Sequence, residues 1–159
     1  MVVLRRMNNA EYEAWLSEAV GVYAADKVAS GQWSQDTSLE LSRKEHEELL
    51  PQGLASAGNH LFKILGPSGE TVGDLWFAVR LKFDLPIAHV YNVTIAQPYR
   101  RKGYAYHALL ALEREVQALD LHGVALHVFG HNHAARGLYA KLGYEPTNLN
   151  LFKQVPPAC

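Results

Sequence analysis

Two short stretches carry residue types that could bind an anion and move protons. The first, residues 91–105, joins a predicted strand to a predicted helix through a basic loop. A helix N-terminus presents unpaired backbone N–H groups and a partial positive charge. Gly103 allows the backbone to approach a ligand closely, and Arg100, Arg101 and Lys102 add positive charge. The stretch predicts a cradle for a phosphate or pyrophosphate. An ordinary connection with solvated bases is the alternative, because short basic loops containing glycine are common.

The second stretch, residues 126–144, predicts a strand that runs into a short helix. Asn132 can cap this helix, and its packing face consists of Ala135, Leu138 and Leu142. Tyr139 projects beside that face. A phenol is protonated at neutral pH and can donate a proton in catalysis. The alternative is that Tyr139 belongs to the core.

Hydrophobic periodicity and turn residues predict the elements that position these stretches. Three strands in the middle of the chain should form an antiparallel meander, and helices flank them in sequence. The whole chain is predicted to be one mixed α/β domain, residues 1–159. The predicted elements are strand 2–6, helices 9–29 and 37–50, strands 61–65, 71–83 and 87–95, helix 104–121, strand 124–129, helix 134–142 and a last strand 149–155.

The charge distribution indicates where an anionic ligand should bind. The chain has 15 Lys and Arg against 16 Asp and Glu, which argues against a dedicated nucleic-acid binder. Residues 1–80 hold 11 acids and 7 bases, whereas residues 81–159 hold 5 acids and 8 bases. The single cysteine allows no internal disulfide, and no apolar run has the length of a membrane helix. We therefore expect a cytoplasmic protein with no membrane partner.

In this order, the two stretches closely resemble motifs of the GCN5-related N-acetyltransferase (GNAT) family. The family's pyrophosphate loop has Gln or Arg, two residues, Gly, one residue, then Gly or Ala, and Arg100, Gly103 and Ala105 match it. The resemblance covers residues 87–145. The N-terminal half of the chain matches the family only in the order of its predicted elements. The later family motif is matched by Asn132, Ala135, Leu138, Tyr139, Lys141, Gly143 and Tyr144.

The resemblance implies a fold and a cofactor site. The fold is a central, mostly antiparallel twisted sheet, flanked by helices and splayed at the strand before the loop. Acetyl-CoA is the implied cosubstrate, and no metal is implied. Backbone groups near Val93 and Ile95 would bind the pantetheine arm, with Asn132 touching it and Tyr139 beside the thioester sulfur as the acid. The pyrophosphate would be held by the amides of Arg101, Lys102, Gly103, Tyr104 and Ala105.

The general base departs from the family pattern. Many relatives place Glu or Asp near positions 91 and 92, where this chain has Tyr91 and Asn92. Some relatives use a Glu at the position of His127, and the ordinary pKa of histidine suits a base. A histidine on the wrong face of the strand, or a water chain as the base, remain alternatives. A metal site at His127, His131 and His133 is disfavoured, because a helix starting at Asn132 would separate them.

The resemblance places the amine acceptor near the N-terminal helices and the strand-edge loops. The acceptor site is expected around residues 15–33, together with strand residues, and Trp33, Trp76 and Tyr91 are the predicted acceptor residues. Their aromatic walls and the acidic first half favour a cationic amine, either a small molecule or a peptide. Homodimers are common in the family. Two other functions stay open: a non-catalytic acyl-CoA-binding module, and nucleic-acid binding through residues 100–102.

Overall fold

The computed structural model describes residues 1–159. The chain forms five strands and four α-helices, with short 3₁₀ turns at Gly53–Ala55 and Gln97–Tyr99. In chain order the elements are β1 (Val3–Arg6), α1 (Asn9–Ala29), α2 (Ser38–Leu49), β2 (Asn59–Leu65), β3 (Thr71–Lys82), β4 (Leu85–Ile95), α3 (Tyr104–Ala118), β5 (Val124–Leu126) and α4 (His133–Lys141).

The strands form one open sheet in the order β1-β2-β3-β4-β5. Every neighbouring pair is antiparallel except β4 and β5, which run parallel. The single α/β domain and its mostly antiparallel sheet are therefore confirmed. β4 begins at Leu85 and contains Pro86, so it starts two residues before the predicted start at residue 87. Phe83 and Asp84 form the tight β3–β4 turn, both with positive φ.

Two apolar clusters cover opposite faces of the sheet. On β3, Leu75 and Phe77 point to the face covered by α3, where Leu109 belongs to the same cluster. The residue between them, Trp76, points to the other face and packs with Trp15 of α1. Successive side chains of a strand alternate between faces, so β3 anchors both layers. The helices α1 and α2 thus lie on the face opposite α3.

A capping box fixes the start of α1 next to β1. The Asn8 side chain accepts from the Glu11 amide at 2.8 Å, and the Glu11 carboxylate accepts from the Asn8 amide at 3.0 Å. Arg5 of β1 donates two hydrogen bonds to the same carboxylate, at 2.8 and 3.0 Å. The pKa of Glu11 is lowered to about 2. Hydrogen bonding to Arg5 is the largest cause, and the hydrogen bond from the Asn8 amide is the second.

The predicted last strand at residues 149–155 is wrong. Residues 145–159 contain no strand and no helix, and none of their backbone groups forms a hydrogen bond with other backbone groups. Leu151 and Phe152 are 90% and 91% exposed. An alternating pattern becomes a strand only beside a partner edge. Residues 149–155 pair with no strand of the sheet.

Two further boundaries differ from the prediction. The helix predicted to reach residue 121 ends at Ala118, and Asp120 has a positive φ that the helix cannot accommodate. The strand predicted for residues 124–129 stops at Leu126, where its pairing with β4 ends. No helix is both long and apolar enough to cross a membrane.

The strands β3 and β4 approach each other closely at Gly73. A Cβ at this position would overlap the carbonyl oxygen of Thr94 in β4. We expect Gly73→Ala to lower the free energy of unfolding by about 2–3 kcal/mol, because neither backbone can move without breaking the pairing. Urea denaturation measures this change.

Gly21→Ala in α1 is the matched control, since nothing lies within 4 Å of the position that its Cβ would take. Alanine is the better helix former, so the control should gain about 0.5–1 kcal/mol. Equal effects of the two substitutions would show that the β3–β4 contact is not tight.

Candidate active site

The site begins where β4 and β5 separate. They pair through only three residue pairs, the last of which joins Val90 to Leu126. In the β3–β4 register Phe77 faces Val90 and Trp76 faces Asn92, so Tyr91 is an extra, bulged residue. Beyond this bulge the edge of β4 that faces β5 has no partner strand. The predicted splay is therefore present, and together with the bulge it leaves backbone groups of β4 available to a ligand.

The basic loop after β4 presents a row of free amides. Gly103 is the N-cap of α3, with φ of 83° and no side-chain cap, and Arg101 has φ of 62°. The five amides of residues 101–105 donate no backbone hydrogen bond. Arg100 donates instead from Nε to the Ile95 carbonyl at 2.8 Å, so it braces the loop against β4. The residues present therefore fit a pyrophosphate held by backbone donors and the start of a helix.

A cleft of about 440 Å³ opens from the splay towards α1 and α2. This volume lies in the usual range for small-molecule sites. The structure brings six of the predicted residues together on its walls: Trp76, Tyr91, Val93, His127, Asn132 and Tyr139. Ile95 is buried and the loop residues 100–105 lie outside the cleft lining.

Tyr139 reaches the cleft from α4. Asn132 caps this helix by accepting from the Ala135 amide at 3.2 Å, as predicted. Burial raises the pKa of Tyr139 above its ordinary value, which keeps the phenol protonated at neutral pH. Its ring lies 5.5 Å from that of Tyr144, whose buried hydroxyl has no hydrogen-bond partner. Burial is the main cause that raises the pKa of Tyr144 to about 12.

A second histidine joins His127 at the splay. His127 is exposed and lines the cleft. His89, which the sequence did not single out, also lines the cleft, and its ring lies 4.7 Å from that of Tyr91. Burial, followed by the charges of Arg80, His127 and Lys82, lowers the pKa of His89. Only the parallel β4–β5 register, which sets His89 opposite Ala125, brings the two histidines near each other.

The predicted acceptor residues occupy different positions. Trp76 is 2% exposed, donates from Nε1 to the Asn59 side chain at 2.9 Å and stacks on Tyr91 at 4.6 Å. Trp33 does not line the cleft itself. It packs edge-on against the Tyr23 ring, at 5.7 Å, and Tyr23 does line it. Sequence reasoning missed His46 and Glu45, which also lie on the walls, as do Glu18 and Asp26 within the predicted region 15–33.

No three His, Cys, Asp or Glu side chains are grouped as a metal site needs in residues 1–159. A second cavity of about 340 Å³ lies between α1 and α2 and shares only His46 with the cleft.

Residues 22–144 match the family model of the Acetyltransferase (GNAT) family, which is more than half of the chain. The chain belongs to the GNAT acetyltransferase family. Two uncharacterized N-acetyltransferases of Bacillus subtilis (strain 168) are similar to it along nearly their whole lengths. YycN is 32% identical over 154 residues, which cover 97% of this chain and 99% of YycN. YdgE is 32% identical over 152 residues, covering 96% and 97%.

Solved structures of GNAT enzymes have the same fold. The crystal structure of YycN superimposes with a TM-score of 0.93 at 31% identity, covering 99% of this chain and all of YycN. AAC(6')-Iy, in complex with the bisubstrate analogue CoA-S-monomethyl-acetylneamine, has a TM-score of 0.62 at 17% identity and 99% coverage of each chain. The second likeness concerns the fold alone. Family membership and the named homologues make this GNAT protein an N-acetyltransferase.

The Asn132 cap is predicted to hold α4, and with it Tyr139, in place. Asn132→Ala removes the side-chain acceptor, which should cost the helix about 1 kcal/mol. Amide hydrogen exchange in α4 should then accelerate about fivefold. Asn8→Ala, at the cap of α1, is the control: it should not accelerate exchange in α4 selectively. Unchanged α4 exchange in Asn132→Ala would rule out the cap as the support of Tyr139.

Proposed function

We propose that this GNAT enzyme transfers an acetyl group from acetyl-CoA to a primary amine by direct attack. The observation that carries the proposal is the continuity of three features. The open edge of β4 leads at one end to the free amides of residues 101–105. The cleft at the splay holds His127 and Tyr139 on its walls.

The cosubstrate would lie along the open edge of β4. Its pyrophosphate would accept hydrogen bonds from the amides of Arg101, Lys102, Gly103, Tyr104 and Ala105, with the two basic side chains adding charge. Arg100 contributes by bracing the loop through the Ile95 carbonyl. Backbone groups of Val93 and Ile95 and the side chain of Asn132 would contact the pantetheine arm. This placement leaves the thioester within the cleft, beside Tyr139.

Each atom of the transfer has a place in this arrangement. The nitrogen of a neutral amine attacks the thioester carbonyl carbon, a C–N bond forms and the C–S bond breaks. His127 takes the proton that the amine loses, directly or through a water molecule. Tyr139, held protonated by burial, gives its proton to the thiolate that leaves. The amine enters from the side of Trp76 and Tyr91, with Trp33 supporting that wall through Tyr23.

Tyr139→Phe tests the acid. Loss of the phenolic proton should lower kcat about 10²-fold, within the range for general acids, while the Kd for acetyl-CoA changes less than twofold. Release of free thiol measures turnover and calorimetry measures binding. Turnover at the wild-type rate would remove Tyr139 from the acid role. If the wild-type protein binds acetyl-CoA but releases no thiol from it in the presence of any amine, the protein is instead a non-catalytic acyl-CoA-binding module.

His127→Ala tests the base through the pH dependence of kcat/KM. The wild-type profile should fall on its acidic side, because a protonated base cannot take a proton from the amine. The variant should lose this acidic limb. His131→Ala is the matched control, since His131 is an exposed histidine outside the cleft. An acidic limb that persists in His127→Ala would assign the base elsewhere.

A further inference from the structure

Four rings form a box at the α1–α2 end of the cleft. His46 of α2 lies at its centre, with ring centroids 6.3 Å from Trp15, 5.6 Å from Tyr23 and 5.9 Å from Trp76. Aromatic faces attract cations, and this wall already holds one. The Lys27 ammonium lies 5.5 Å from the Tyr23 centroid. Its presence shows that the wall accommodates a positively charged nitrogen.

Carboxylates without salt-bridge partners surround this box. Glu18 and Asp26 of α1 and Glu45 of α2 line the cleft, and none of them forms a salt bridge. Lys27 is the only Lys or Arg on the walls of the cleft. The Glu45 carboxylate lies near Tyr23 and, after burial, is the next cause that raises the pKa of that phenol. This end of the cleft therefore carries a surplus of negative charge.

His46 supplies a hydrogen-bond acceptor that no protein group uses. The side chain is only 7% exposed, and its Nδ1 lies 2.8 Å from the Ser42 carbonyl oxygen. A carbonyl can only accept, so Nδ1 carries the proton and donates. In the neutral ring Nε2 is then an acceptor, and it has no hydrogen-bond partner within the chain. This nitrogen can therefore accept a hydrogen bond from the N–H of a ligand.

A continuous row of rings connects the box to the reaction centre. From His46 the row passes to Trp76, then to Tyr91 at 4.6 Å and to His89 at 4.7 Å, beside His127. These steps limit the separation of the His46 and His89 rings to about 15 Å. Methylene groups that pack against these ring faces bury apolar surface, which is favourable. The shape suits an extended alkyl chain with a nitrogen at each end.

We propose that the acceptor is a linear diamine or polyamine, with one nitrogen acetylated beside His127 and Tyr139 and a second, charged nitrogen bound between Tyr23, His46 and Glu45. This inference rests on the proposed function, because both use the same cleft. It adds the acceptor's second charge and its linear shape.

The test compares α,ω-diaminoalkanes of three to eight carbons with n-alkylamines of equal length, by thiol release from acetyl-CoA. The best diamine should exceed its matched monoamine at least 30-fold in kcat/KM, with an optimum chain length. Glu45→Gln should lower this diamine-to-monoamine ratio at least tenfold. Glu48→Gln, at an exposed position of α2 outside the cleft, is the control and should keep the ratio.

His46→Phe gives a second arm, since it keeps a ring and removes the acceptor nitrogen. It should also lower the diamine-to-monoamine ratio. If His46→Phe does not fold, the ratio measured for Glu45→Gln decides the test. Equal kcat/KM for diamines and monoamines, or a preference for a cyclic aminoglycoside over every linear diamine, overturns this inference and leaves the proposed function intact. No thiol release with any amine overturns the proposed function, and this inference with it.

Discussion

The separation of β4 from β5 is the constraint on which the rest of the site depends. Backbone N–H and C=O groups of a sheet interior are normally consumed by neighbouring strands. Here pairing with β5 stops after Val90 and Leu126, and the bulge at Tyr91 shifts the β3–β4 register by one residue while residues 92–95 stay paired with β3. One edge of β4 is thereby open over residues 91–95. The cleft exists because two parallel strands share only three residue pairs.

The elements around this opening are arranged so that it stays open and reachable. The close approach of β3 and β4 at Gly73 fixes β4 from its paired side, and Arg100 fixes the following loop to Ile95. The helix α3 begins at Gly103, which has no side chain to cap it. The helix α4 begins at Asn132, whose side chain caps it. The two helix starts therefore differ: the first amides of α3 have no backbone partner, whereas the Ala135 amide of α4 donates to the Asn132 side chain.

Features fixed by neighbouring residues were predictable from the sequence. The Gly103 loop and the Asn132 cap depend on residues within four positions, and both have the predicted form. Features fixed by register were not predictable from composition or periodicity. His89 becomes a cleft residue through the parallel pairing with β5, and His46 through the packing of α2 on Trp15 and Trp76. The last strand failed for the same reason, since residues 149–155 have the pattern of a strand but no partner edge.

Residue-resolved amide hydrogen exchange, measured with and without saturating acetyl-CoA, is the decisive experiment for the open edge of β4. Acetyl-CoA should slow exchange of unpaired amides in residues 91–95 and of the amides of residues 101–105, while exchange in β1 and β2 is unchanged. Saturation that leaves the amides of residues 91–95 and 101–105 unprotected would show that the open edge of β4 and the start of α3 are not the cosubstrate site.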